Sequence, residues 1–164
     1  MTPAGVVVMG LDPGLANLGF GIVRSDGMQS ELVDYGAITT QADELMPRRL
    51  RELFDATTEL SRKHRPAFVA VETLYFARNT KTAIQVAQAR GAVLAALARD
   101  DAHVLDMTPL QVKLALTGYG RADKRQIQMM IRTILGLEDI PRPDHAADAL
   151  ALAIACAHTL RRRR

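Results

Sequence analysis

Two stretches of the chain are apolar without interruption, and each stops at an acid. Val6-Val7-Val8-Met9-Gly10-Leu11 runs into Asp12, and Phe68-Val69-Ala70-Val71 runs into Glu72. Continuous runs rich in β-branched residues and closed by turn residues predict buried strands, here over residues 6–12 and 68–72. Residues 19–25 and 31–39 read as two more strands, with the hairpin signal Asp26-Gly27 between them. Residues 103–106 make a short fifth. Elsewhere the period is helical. Over residues 45–64 it places Leu50, Leu53, Phe54, Thr57 and Leu60 on one stripe, and Pro66 stops it. Residues 80–98 predict a second long helix.

Helix-end chemistry divides the remainder. Thr108 reads as an N-cap with Pro109 at the first helical position, opening a helix over residues 109–116. Gly118-Tyr119-Gly120 breaks it, and Asp123 caps the next, which runs to Leu135. A loop over residues 136–143 carries two prolines, and Pro143 opens a final alanine-rich helix over residues 144–160. The order β-β-β-α-β-α-β-α-α-α predicts an α/β layer, three meandering strands followed by strands joined through helices. Strands one and four are the most continuously apolar and are expected at the centre. Each carries its acid at its C-terminal end, the edge of an open α/β sheet where sites form.

Bulk properties narrow the class. The 164 residues, without linker, repeat or low-complexity segment, suit a single domain over 1–164 with a core of its own and a short basic tail at 161–164. Cys156 is the only cysteine, so no internal disulfide is expected, which fits a reducing compartment. No secretory signal pattern stands at residues 1–10, and the apolar run 149–157 is too short to span a bilayer. A cytoplasmic protein without a membrane partner is expected. The formal charge is +3, but without Arg161 to Arg164 there remain 17 basic against 18 acidic side chains, a net of −1. The body is therefore not a uniformly basic glove, and any nucleic acid must be held by local patches beside an acidic site. The tail is either a frayed, solvated end or a source of non-specific phosphate attraction.

Asp12, Glu72, His145 and Asp148 form the candidate site. Asp12-Pro13-Gly14 serves equally as a turn, with acid first and proline second. Glu72 is more telling, because a glutamate directly after Val-Ala-Val has little reason to close a buried strand unless a cation meets it. His145 and Asp148 are three apart and share one helix face. A first-turn acid favoured by the helix dipole is the plain alternative, and it accounts for Asp144 better than for Asp148. Carboxylate and imidazole groups suit hard or borderline divalent cations, and together they suit metal-assisted phosphodiester hydrolysis. Around them stand candidate phosphate contacts: Lys113, Arg121 and Lys124 beside the glycine-rich 117–121 stretch, and Arg78, Asn79 and Lys81 after Glu72. In a chain with 4% aromatics, Tyr75 and Phe76 suggest a stacking wedge beside the site, though core packing explains either ring as well. Lys81, Gln85 and Gln88 share a polar stripe that either tracks a phosphate backbone or simply faces water. Cys156, His158, Met129 and Met130 read as core or surface, with no zinc pattern, Walker motif or dinucleotide fingerprint.

Gly10-Leu11-Asp12-Pro13-Gly14, Val71-Glu72, Gln88-Ala89-Arg90-Gly91, Gln111-Val112-Lys113 and Asp144-His145-Ala146-Ala147-Asp148-Ala149-Leu150 stand in this order. With them the chain resembles the RuvC family of Holliday-junction resolvases, from about Val7 to about His158. The resemblance implies a ribonuclease-H-like fold, a five-stranded mixed sheet with helices on both faces. It also implies a homodimer, two divalent ions per subunit (Mg2+ or Mn2+), and resolution of four-way junction DNA in recombination and repair. Paired symmetric nicks, ligatable products, a preference for certain T-rich sequences and association with a branch-migration complex belong to the same expectation. Asp12, Glu72 and Asp148 match the family's metal-binding acids, Lys113 and Lys124 its basic residues near the scissile strand, and Tyr75 an aromatic position near the junction centre. Many members carry aspartate where this chain has His145, which puts the metal preference rather than the site in question. The implied mechanism is in-line attack of water on phosphorus, with Asp12 bridging ions that in such sites lie ~3.5–4 Å apart. Two other classes stay open. One is a junction binder that does not cut. The other is an ATP-using enzyme of the actin and sugar-kinase type, which would need a second domain of this kind.

Overall fold

The computed structural model describes residues 5–73 and 80–161. The strands are β1 (Val6–Pro13), β2 (Asn17–Ser25), β3 (Ser30–Thr39), β4 (Phe68–Glu72) and β5 (His103–Met107). The helices are α1 (Met46–His64), α2 (Thr80–Leu97), α3 (Pro109–Thr117), α4 (Lys124–Leu135) and α5 (Asp144–Arg161). This is the predicted order, and no boundary moves by more than two residues. The Asp26-Gly27 turn closes as expected: Asp26 Oδ1 accepts from the backbone N–H of Met28 and Gln29, and Gly27 takes φ 91°. Thr108 and Asp123 both cap their helices in reciprocal capping boxes, with Gln111 and Gln126 respectively.

One five-stranded sheet runs in the order β3-β2-β1-β4-β5. β1 is antiparallel to β2 and parallel to β4, and β5 is parallel to β4, so the sheet is mixed and its two most apolar strands lie side by side at the centre. Alternation along each strand divides the side chains between two cores. Met9, Leu11, Val69 and Val71 pack with Leu53 and Leu60 of α1 and Ala89, Val93 and Leu97 of α2. Val8, Val23, Ala70 and Met107 pack on the other face with α3, α4 and α5. Helices therefore cover both faces, and the ribonuclease-H-like arrangement is met.

α5 is the central helix. Residues 146, 147 and 149–157 are all buried, so the helix is enclosed on nearly every side, which explains its small, uniformly apolar composition. The sheet beneath it is stripped to backbone. Gly10 faces Gly21 across the β1–β2 pair, and Gly19 faces Asp12. A Cβ on Gly10 would stand 1.9 Å from the Ala149 carbonyl oxygen, one on Gly19 2.0 Å from that of His145, and one on Gly21 2.5 Å from the Leu150 nitrogen. The three glycines let helix backbone rest on strand backbone. No helix among the described residues is long and apolar enough to cross a membrane.

Candidate metal centre

Asp12 lies within β1 and does not begin a turn: it pairs with Gly19, and Pro13 pairs with Leu18, so the chain turns only after Pro13. Asp12 shares a sheet face with Val8 and Gly10, and that face looks onto α5. Glu72 shares the same face with Phe68 and Ala70 on the neighbouring strand, one residue beyond the Leu11–Val71 pair. From α5, His145 Nδ1 lies 3.0 Å from Asp12 Oδ2, across 133 residues of chain. One ligand atom each from Asp12, His145 and Asp148 lies within 4.8 Å of the others. Glu72 is outside that tight group but shares a side-chain hydrogen bond with Asp12. Asp12 is thus the enclosed member, its side chain 15% exposed, while His145 opens to solvent at 45%.

The electrostatics are those of carboxylates crowded together. Burial, then the charges of Asp12 and Asp148 and the bond to Asp12, push Glu72 up to about 7. Burial and Asp12 raise Asp148 as well, against the lowering pull of Lys124 and His145. Repulsion and desolvation of this kind are what a bound cation relieves. The donor set, three carboxylates and one imidazole, fits a hard or borderline divalent ion.

The remaining candidates divide. Lys124 and Asp144 are the first residues of α4 and α5, and the two helix starts meet: Lys124 Nζ is 3.1 Å from Asp144 and 3.9 Å from Asp148. The bond to Lys124 holds the Asp144 carboxyl below the usual carboxylate range and raises the lysine in return. Sequence reasoning treated Lys124 as a DNA contact and Asp144 as a dipole-favoured acid, and missed that they pair. Lys113 stands half-buried on α3, and its ammonium forms no ion pair among the described residues. Arg121, Lys81 and Gln88 are exposed, and Gln85 is half-buried. Tyr75, Phe76, Arg78 and Asn79 lie outside the described residues. Cys156 is buried, its thiol pushed up to about 11, and His158 Nδ1 sits 3.2 Å from the Ala115 carbonyl oxygen, so both belong to the packing of α5. Met129 is exposed and Met130 packs at the core margin. Arg90, quoted above only as part of a motif, reaches the Glu72 backbone carbonyl and pairs with Asp106.

A family model described as crossover junction endodeoxyribonuclease RuvC matches residues 8–158. A crossover junction endodeoxyribonuclease RuvC of Rubrobacter xylanophilus is 55% identical over 155 residues, 94% of this chain and 87% of the relative. The structure of Thermus thermophilus RuvC superposes with a TM-score of 0.90 at 38% identity, covering 96% of each chain. The same protein in complex with Holliday junction substrate gives 0.93, with the same identity and coverage.

Proposed function

The chain belongs to the RuvC family of crossover junction endodeoxyribonucleases, and we propose that it resolves four-way DNA junctions at a centre built from Asp12, Glu72, His145 and Asp148. The observation that carries this assignment is the convergence of Asp12, His145 and Asp148 within 4.8 Å, from a strand and a helix at opposite ends of the sequence, with Glu72 bonded to Asp12. These residues fit two divalent ions, Mg2+ or Mn2+. When bound, the ions supply Lewis acidity that ionises a water nucleophile and stabilises charge on the leaving 3′ oxygen.

The protein's own groups perform the rest. Asp12 is the residue that contacts both Glu72 and His145, so it would help to hold the ions together with Glu72, His145 and Asp148. Lys124, anchored by Asp144 beside Asp148, sets a positive charge at the rim of an acidic site, where it draws in a phosphate. Lys113 and Arg121 are further candidates for phosphate contacts. Lys81, Tyr75, Phe76, Arg78 and Asn79, which follow Glu72 in the sequence, are the remaining candidates for DNA contact. Two opposed cuts require two centres, which a two-fold homodimer provides. The outer face of α2 suits such a contact: Ile84 is 55% exposed, and Ala87, Gly91, Ala95 and Ala98 continue the same exposed, small-residue face. A DNA substrate puts this work in the cytoplasm of the cell, in company with a branch-migration complex.

A synthetic four-way junction tests the assignment. With Mg2+ or Mn2+ the native chain makes two symmetric nicks, whereas Asp12→Asn, Glu72→Gln and Asp148→Asn bind the junction in a gel shift but leave it uncut. Loss of junction binding in all three, or cutting retained in any, rejects the site.

A further inference from the structure

We infer that Arg90 is a positioning residue that holds Glu72 in place from behind the sheet. This inference rests on the assignment of Glu72 as a metal ligand. Glu72 is the last residue of β4 and sends its side chain toward α5. Beyond it the ladder ends. The Thr73 N–H donates to the Met107 carbonyl at 2.9 Å, on the β5 side. The Glu72 carbonyl, at the opposite edge of the same peptide, therefore turns toward β1. The residue that would answer it there, two beyond the Leu11–Val71 pair, is Pro13, which has no N–H to give.

Arg90 supplies the donor. It stands on α2, which packs against the face of the sheet opposite α5. Its Nε donates to the Glu72 carbonyl oxygen at 3.4 Å, and its Nη2 pairs with Asp106 of β5. The Arg90 side chain is 18% exposed, so its position is set by packing, while Asp106 is 59% exposed. A planar guanidinium can hold both acceptors at once, which the single ammonium of a lysine cannot do with the same geometry. The result is a chain of contacts from α2 through Arg90 to the backbone of Glu72, with Asp106 fixing the fork. Groups of this kind orient a ligand without touching the metal, and their removal commonly costs 10–100-fold in metal affinity or activity.

The test uses the full chain, Mn2+ alone as the binding probe, and a synthetic junction for single-turnover cutting. Arg90→Ala is expected to weaken Mn2+ binding and slow cutting by about 10- to 100-fold, with metal-free junction affinity unchanged. Arg90→Lys should fall between. Asp106→Ala, at an exposed position that leaves the cores intact, should show a smaller loss in the same two readouts at unchanged thermal stability. The double variant should be no worse than Arg90→Ala. Native Mn2+ affinity and cutting rate in Arg90→Ala overturn the inference, as does a loss of thermal stability with both readouts unchanged. If Arg90→Ala does not fold, Asp106→Ala decides alone, and native values there overturn it. Glu72→Gln run in parallel separates the two readings. If that variant keeps Mn2+ binding and cutting, the metal centre itself is misassigned; if it is inactive while the Arg90 series is native, only the positioning role fails.

Discussion

Replacing Gly10 by alanine adds one methyl group at a point where α5 and β1 touch through backbone alone. The new Cβ would stand 1.9 Å from the Ala149 carbonyl oxygen and 2.7 Å from the Ala153 nitrogen. Ordinary contact begins at 3.4 Å, so the helix must withdraw by the difference, about 1.5 Å. Neither obstacle is a side chain that could rotate away. Overpacking of this kind costs ~1–3 kcal/mol, offset in part by the lower unfolded-state entropy of alanine. Asp148 immediately precedes Ala149, so the same withdrawal draws it and His145 off Asp12. A displacement of ~1 Å at reacting groups costs on the order of 100-fold in rate. Urea denaturation should therefore show a lower midpoint with unchanged slope, and single-turnover cutting at saturating Mn2+ should fall by about two orders of magnitude. Junction binding without metal should stay near native, since Lys124, tied to α5 through Asp144, is half-exposed and keeps its charge. A Gly10→Ala chain with native stability refutes the packing argument. One that is destabilised yet cuts at the native rate refutes the claim that this contact sets the ligand geometry.

Five further outcomes follow from the site and its surroundings. Glu72 keeps its proton up to about 7 when folded but only to 4.5 in a free carboxyl, so metal-free stability should fall as pH rises across that interval, by at most ~3 kcal/mol and less with solvent screening. Mn2+ uptake near pH 6 should accordingly expel up to about one proton, read by calorimetry in buffers of different ionisation enthalpy; uptake without release would mean that Glu72 is already ionised. His145 should make Mn2+ a better cofactor than Mg2+, and His145→Asp should narrow the gap; an Mg2+ preference in the native chain removes His145 from the coordination shell. Lys113→Ala should lower the single-turnover rate more than junction affinity, and an unchanged rate leaves Lys113 only a binding role. Gly91→Leu has open space around its Cβ within the protomer and should fold yet sediment as a monomer; a persisting dimer moves the interface off α2.

Much of the fold was legible because burial wrote itself into composition. The runs ending at Asp12 and Glu72 read as central strands, and the alanines of α5 read as a helix with little exposed face, since both must exclude polar groups to sit where they do. Pro13 was read as part of a turn, yet it ends β1, where the β1–β4 ladder stops and the N–H it lacks is replaced at the Glu72 carbonyl by Arg90. The grouping of Asp12, His145 and Asp148 was likewise legible, because acids and an imidazole at the ends of apolar segments have few partners but one another and a cation. What stayed hidden depended on which elements become neighbours. Lys124 and Asp144 are each ordinary at a helix start, and only the meeting of α4 with α5 makes them a pair. The need for glycine at positions 10, 19 and 21 is not visible in the strands themselves, because the helix that needs their bareness lies more than a hundred residues away. Arg90 was invisible as a positioning group for the same reason: its acceptors are a backbone carbonyl and an acid on another strand.

The placement of α5 also fixes when the protein becomes able to cut during its own synthesis. Asp12 and Glu72 leave the ribosome early, but their partner His145 arrives 133 residues after Asp12, followed by Asp148, on the helix that also fills one side of the sheet. Until that helix docks, the nascent chain has half a metal site and one exposed sheet face. With the centre assigned as proposed, a chain arrested before residue 144 holds only two of its four ligands, and translation that stops there should release a product unable to cut. On that assignment, catalytic competence and completion of the core coincide in one late event, and until then the chain exposes an apolar sheet face of the kind that makes folding intermediates aggregation-prone.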